Sequence, residues 1–298
     1  MRAKDIAALL KDSYTGWTND EASRLAAALA FYTIFAIAPL LIVVIEIGAA
    51  LLGGAGHHHV VRDQILNELR PAIGDAGTKA IANIVQATFN QRSKGLFASI
   101  VGWVIFALAA SGLIVSIQGA LDTIWGTKPK GGILWTILDR VKSFAIIGGA
   151  AVLVVVLGFV TAAIAALTTG IAAKIVNAIV LLAVVTLLTA AIYKWLPKVK
   201  LSWRDVWVGA IASSVLSVVG QYLIGLYLGR AATTSAYGAA GSLVAVLLWL
   251  YYSAQIFLFG AEITKAYANR FGSRTTAQRP SEHGSIAKKS FSSPKSLA

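Results

Sequence analysis

The sequence predicts an all-α, polytopic membrane protein: six transmembrane helices with a small extracytoplasmic helical cap. Three observations carry this expectation. Hydrophobic residues make up 57% of the 298 and charged residues 13%, and the mean hydropathy is +0.73, far from the composition of a soluble domain. The run YGAAGSLVAVLLWLYYSAQIFLFGAE, from Tyr237 to Glu262, supplies the roughly 20 apolar residues that a helix needs to cross a hydrocarbon core of about 30 Å. Finally, Lys and Arg concentrate in alternate loops, the bias that sets membrane orientation.

Residues 1–17 carry Ile6, Leu10, Tyr14 and Trp17 at helical spacing, which predicts an amphipathic helix lying at the membrane surface on the cytoplasmic side. Thr18-Asn19-Asp20-Glu21 reads as a capping box opening a six-helix transmembrane domain over 18–268. The first span covers about 22–52, and Pro39 inside it is expected to kink it. An extracytoplasmic insert over 56–94 reads as two short amphipathic helices split by Pro71, Gly74 and Gly77. His57-His58-His59 is expected in an exposed loop, since three consecutive residues cannot all point at one ion.

The second span is placed at 95–125 and the third at 141–168. Thr169-Gly170 makes a tight turn into the fourth, 171–193, which Trp195-Leu196-Pro197 ends. Ser202-Trp203-Arg204-Asp205 resembles a second capping box and opens the fifth span, 204–228. The sixth is 238–264. Residues 269–298, rich in Ser, Lys and Arg, read as a disordered basic cytoplasmic tail.

Six spans place both termini on one side. That side holds Arg2, Lys4, Lys11 and Arg24, the Lys128–Lys142 loop, the Lys194–Arg204 loop and the basic tail, most of the 26 Lys and Arg. The excess predicts cytoplasmic termini. It also accounts for most of the net charge of +13 without nucleic acid as a partner; membrane lipids are the partner this composition implies.

Ionisable and polar groups inside spans are the candidate functional residues, because hydrocarbon penalises them unless they have a partner or water. Tyr251, Gln255 and Glu262 fall within roughly 40° on a helical wheel at 100° per residue, a polar stripe on an apolar helix. Gln118 and Asp122 form a second such face with Ser111. Glu46 lies near the face of Tyr32, Phe35 and Pro39, open to a cation or proton, to a basic neighbour such as Arg92 or Lys94, or to the outer interface. Asp122 has an alternative role as an interface carboxylate holding Lys128 or Arg140, and Glu262 can pair with Lys265 one turn on. Span five carries Gly209, Ser213, Ser217, Gly220, Gly225 and Gly229, the small residues that let helix backbones approach closely. There are no cysteines, and no nucleophile elbow, phosphate loop or metal-ligand cluster is legible. Neither an enzyme, a metal site nor a cofactor is expected.

LAAALAFYTIFAIAPLL (25–41), GALDTIWGT (119–127), YKWLPKVKLSWRDVWVGA (193–210) and the 237–262 run resemble the YihY/BrkB family of bacterial inner-membrane proteins. The resemblance covers about residues 25–268. It implies six spans, both termini cytoplasmic and an inner-membrane location, and it puts Tyr237 and Glu262 on a family motif. Family members have been labelled ribonuclease BN-like, virulence factors, or linked to envelope lipid export. A hydrolytic ribonuclease would need a metal-binding cluster in a soluble domain, so that reading ranks last. The leading expectation is a transporter or lipid flippase whose substrate passes a seam lined by Tyr32, Gln118, Tyr251, Gln255 and Glu262; the alternative is a non-transporting membrane scaffold.

Overall fold

The structure, a computed structural model, describes residues 3–92, 111–127, 149, 170–231 and 238–274. Among these there is no strand. The helices are α1 (Ala3–Asn19), α2 (Ala22–Leu51), α3 (His58–Arg92), α4 (Ser111–Ile124), α5 (Gly170–Trp195), α6 (Trp203–Ala231) and α7 (Gly238–Arg270), with one 3-10 turn at Ala55–His57. The third expected span except for residue 149, the first part of the second, Tyr237, Lys128, Arg140 and residues 275–298 lie outside the described residues. Two stretches among the described residues are long and apolar enough to cross a bilayer, Ala178–Trp195 and Val246–Arg270. Ala22–Ile37 and Ser111–Ile124 are shorter apolar helices.

Antiparallel neighbours form the bundle. The early residues of α2, Ala22 to Leu29, share a buried cluster with Leu258, Ala261 and Ala268 of α7, while Ala30 and Ile34 meet Val246 and Leu250. On α6, Gly209 abuts Gly260 and Thr264 of α7, and Gly220 abuts Tyr252 and Ile256. These glycines permit contacts that a Cβ would block. The face of α6 turned inward is small or polar, with Ser213 and Ser214 buried, whereas Ile211, Val215, Val218 and Val219 point outward. Soluble helices hide such aliphatics; a lipid-facing helix displays them.

Several sequence expectations need correction. The first capping box does not form: Glu21 sits in the left-handed region at φ 49° with no side-chain cap bond, Thr18 Oγ1 turns back to Tyr14 O, and Asp20 is taken by Lys265. Asp205 likewise turns its carboxylate to Ser273 rather than to Ser202. That anchor orders residues 269–274, which the sequence assigned to the disordered tail: α7 runs to Arg270, and Arg274 stacks over Trp125 at 5.5 Å. The second of the three histidines is not in an exposed loop, because His58 opens α3 and meets Glu46 at 3.2 Å. α2 continues through Pro39 as one helix.

The insert is helical over His58–Arg92, but it is not one straight rod. Arg62 Nη1 donates to Gln86 Oε1 at 3.0 Å, although 24 residues of straight helix would separate them by about 36 Å. The element therefore doubles back near Gly74, between Pro71 and Gly77, and Val61, Ile81 and Val85 share one cluster with Ile37 and Ile45 of α2.

The α6–α7 contact generates the first prediction. Gly209→Val forces overlap with the Gly260 carbonyl and Thr264 and is expected to destabilise the protein by about 1–3 kcal/mol or more. Gly119→Ala, which meets nothing within 4 Å, should be neutral or mildly stabilising in the same thermal-unfolding measurement in detergent.

Candidate functional site

The site is built where α1 crosses the C-terminal part of α7. Leu9 and Ser13 of α1 are buried at this crossing, while Ile6, Leu10 and Tyr14 face outward. Gly16 then passes so close to Glu262 that an added Cβ would collide with its carboxylate. Glu262 is only 1% exposed. Its Oε2 lies 3.5 Å from Lys265 Nζ, but that ammonium is closer to Asp20 Oδ2, at 2.6 Å. The pairing with Lys265 that the sequence suggested is thus shared with a second carboxylate.

A cleft of about 450 Å³ opens here, lined by Asp12, Gly16, Glu262, Lys265, Ala266, Asn269 and Arg270. Arg270 reaches Asp12 at 3.3 Å. Both bases in the lining therefore already face carboxylates. Two side-chain oxygens in it, Glu262 Oε1 and Asn269 Oδ1, are buried with no hydrogen-bond partner among the described residues. A third, Gln255 Oε1, is equally unpaired. Gln255, Glu262 and Asn269 are seven residues apart in turn, so they share one face of α7 at intervals of about 10 Å. Buried oxygens without partners are exceptions in proteins, and three of them fall on one stripe of α7.

The remaining predicted residues separate into groups. Tyr251 is half-buried on the same α7 stripe and packs against the α2 clusters. Tyr32 is 42% exposed, lies edge-on to Phe31 and closes against Gly112 of α4; it does not line the cleft. Gln118 is half-buried on α4 and outside the cleft lining. Glu46 lies near the far end of α2 and pairs with His58; Lys94 and the side chain of Arg92 lie outside the described residues. Asp122 is a tie between elements: it accepts from Thr127 Oγ1 at 2.9 Å and the Lys198 amide at 3.3 Å, with Lys198 Nζ at 3.4 Å. Of the small residues, Gly209, Ser213 and Gly220 stand at the α7 contact, and Ser217 bonds back to Ser213 O. Gly225 and Gly229 belong to α6.

Sequence reasoning missed Asn269, Asp12, Gly16 and Asp20. Asn269 had a readable signal, a heptad step beyond Glu262 on the stripe. The other three reach the site only through the docking of α1, which no local pattern announces. Tyr193 was also missed; it is buried on α5, and its hydroxyl donates to the Phe257 carbonyl of α7. Among the described residues no three His, Asp or Glu side chains converge as metal ligands.

Comparison with known proteins adds a family context. The family model described as "Virulence factor BrkB" matches residues 13–285. A UPF0761 membrane protein of Rhodospirillum centenum is 26% identical over 277 residues, covering 88% of this chain and 58% of that protein. One from Ralstonia nicotianae is 24% identical, covering 82% and 55%, and one from Psychromonas ingrahamii is 27% identical, covering 83% and 84%. The chain thus spans somewhat over half the length of the first two relatives. No solved structure gives a significant match.

Two outcomes follow from the geometry. Asp122→Ala removes the carboxylate that accepts from Thr127 Oγ1 and the Lys198 amide and should cost about 1–3 kcal/mol of stability, read by thermal unfolding. Gly16→Ala should destabilise by a similar amount in the native chain but much less in a Glu262→Ala background, where the colliding carboxylate is gone. A double-mutant cycle is expected to return a coupling above about 1 kcal/mol; additivity would place Gly16 away from Glu262.

Proposed function

Since the chain belongs to the BrkB family of membrane proteins, we propose that it is a six-span transporter of the bacterial inner membrane, moving a lipid-like substrate whose polar end follows the α7 stripe. The observation that carries this reading is the row of buried oxygens without partners among the described residues, Asn269 Oδ1, Glu262 Oε1 and Gln255 Oε1. It begins in the cleft and reaches about 20 Å along α7. A scaffold has no need to leave three acceptors unpaired inside a helix bundle, where each one costs stability. A polar group passing through supplies the missing bonds and leaves again. The chemistry needs no bond making or breaking, so the reading is of a non-enzymatic protein.

The test uses purified protein in vesicles containing a fluorescent phospholipid and a membrane-impermeant quencher. Native protein should speed loss of the inner-leaflet signal, and folded Gln255→Leu should slow that loss about tenfold, the equivalent of one lost hydrogen-bonding step of about 1.4 kcal/mol. No acceleration by folded native protein with any lipid would favour the scaffold.

Topology is tested separately. Both termini are assigned to the cytoplasm and the α3 hairpin to the other side. The chain has no cysteine, so Lys4→Cys and Asp63→Cys each report one position. In intact spheroplasts an impermeant maleimide should label Asp63→Cys only, with Lys4→Cys reacting after lysis. The reverse pattern overturns the orientation.

A further inference from the structure

We propose that the α1–α7 cleft is a recognition site for a primary ammonium group, with Glu262 as its counter-charge and Asn269 and Asp12 lining its approach. This deepens the transport reading, and rests on it for the physiological role: the ammonium is the polar end of the molecule moved.

The chemistry of the lining selects the ligand. Asp12 and Glu262 in the lining, with Asp20 behind Lys265, face two cations, Lys265 and Arg270. Arg270 is matched by Asp12, and the Lys265 ammonium lies nearer to Asp20 than to Glu262. Glu262 is left without a base of its own, on a side chain 98% buried, and its Oε1 has no partner among the described residues. Asn269 Oδ1 is a second unpaired acceptor in the same lining. What fits is a cation that donates hydrogen bonds. An anion would face bases that are already paired.

Size and composition narrow the class. A volume of about 450 Å³ is many times the roughly 30 Å³ share of one water, so the cleft suits an organic group better than a bare monovalent ion. A quaternary ammonium carries no N–H and is ordinarily held by aromatic faces; the lining contains no aromatic side chain. A primary ammonium brings three donors to a lining of acceptors. Such a group comes from an aminophospholipid headgroup at the membrane surface or from a free amine.

The test measures binding to the full chain in detergent, using short-chain phosphatidylethanolamine and phosphatidylcholine with identical acyl chains. Phosphatidylethanolamine is expected to bind about tenfold tighter, a difference of about 1.4 kcal/mol. Glu262→Gln should abolish the preference. Asp12→Asn alters a side chain already 48% exposed, which leaves folding intact; it should reduce the preference and serves if Glu262→Gln does not fold. Competition by millimolar ethanolamine would identify a free amine as the ligand, and its failure a membrane lipid; either supports the site. Equal binding of both lipids together with no binding of ethanolamine, or a preference unchanged in the folded variants, overturns it. Selective binding without lipid movement in vesicles would instead overturn the transport reading and leave the site standing.

Discussion

The close approach of α6 to α7 sets the rest of the structure. Between helices in lipid there is little hydrophobic driving force, so backbone proximity and van der Waals contact hold the pair. Gly209 against Gly260 and Thr264, Gly260 against Ser213, and Gly220 against Tyr252 and Ile256 make that contact over several turns. A contact this close admits only one rotation of α7 about its axis. At 100° per residue, the stripe of Tyr251, Gln255, Glu262 and Asn269 then lies roughly 140° from the α6 contact. The polar face is consequently turned toward α1 and α2, and the packing residues of one helix place the polar stripe of the other.

How much of this the sequence announced depends on the range of the interaction. α2, α5, α6 and α7 fall within a few residues of the expected spans at most of their ends, because a long apolar run with turn residues at its limits is a local property. Glu262 and Gln255 were legible as a stripe for the same reason. Residues 18–21 were misread because their side chains take other partners, Thr18 the Tyr14 carbonyl, Glu21 Arg24, and Asp20 a residue far along the chain. Asp20 bonds Lys265, 245 residues away, and a capping motif carries no record of such competition. The tail boundary failed likewise: Ser273 is ordered by Asp205, a buried carboxylate that looked like part of a helix start.

α1 shows the limit most clearly. Its most visible apolar pattern, Ile6, Leu10 and Tyr14, faces outward, as suits a helix at a membrane surface. The face that docks on α7 is the narrower one of Leu9, Ser13 and Gly16. A helix serving two surfaces shows in sequence the larger apolar one. Here the smaller surface builds the site, and it relies on a glycine whose missing side chain makes room for a carboxylate.

The spacing of charges along the helices ties these features to a bilayer. On α2 no charged residue intervenes between Arg24 and Glu46, about 33 Å at 1.5 Å per residue. On α6 the interval from Asp205 to Arg230 is about 38 Å, and on α5 that from Lys174 to Lys194 is about 30 Å. These match a hydrocarbon core of about 30 Å. The bonds of Asp12, Asp20, Asp122 and Asp205 gather at one end of the bundle, and those of Glu46, Arg62 and Arg70 belong to the α2–α3 region at the other. Glu262 lies just inside the first group, where a charge costs less than at the midplane. Gln255, about 10 Å deeper, is neutral. The one carboxylate of the stripe therefore sits at the edge, and only uncharged acceptors extend inward along α7. A cationic group held at Glu262 has no second carboxylate on this stripe to carry it further, so under the transport reading it must cross with a compensating negative charge of its own. That condition selects a net-neutral, zwitterionic polar end over a free cation.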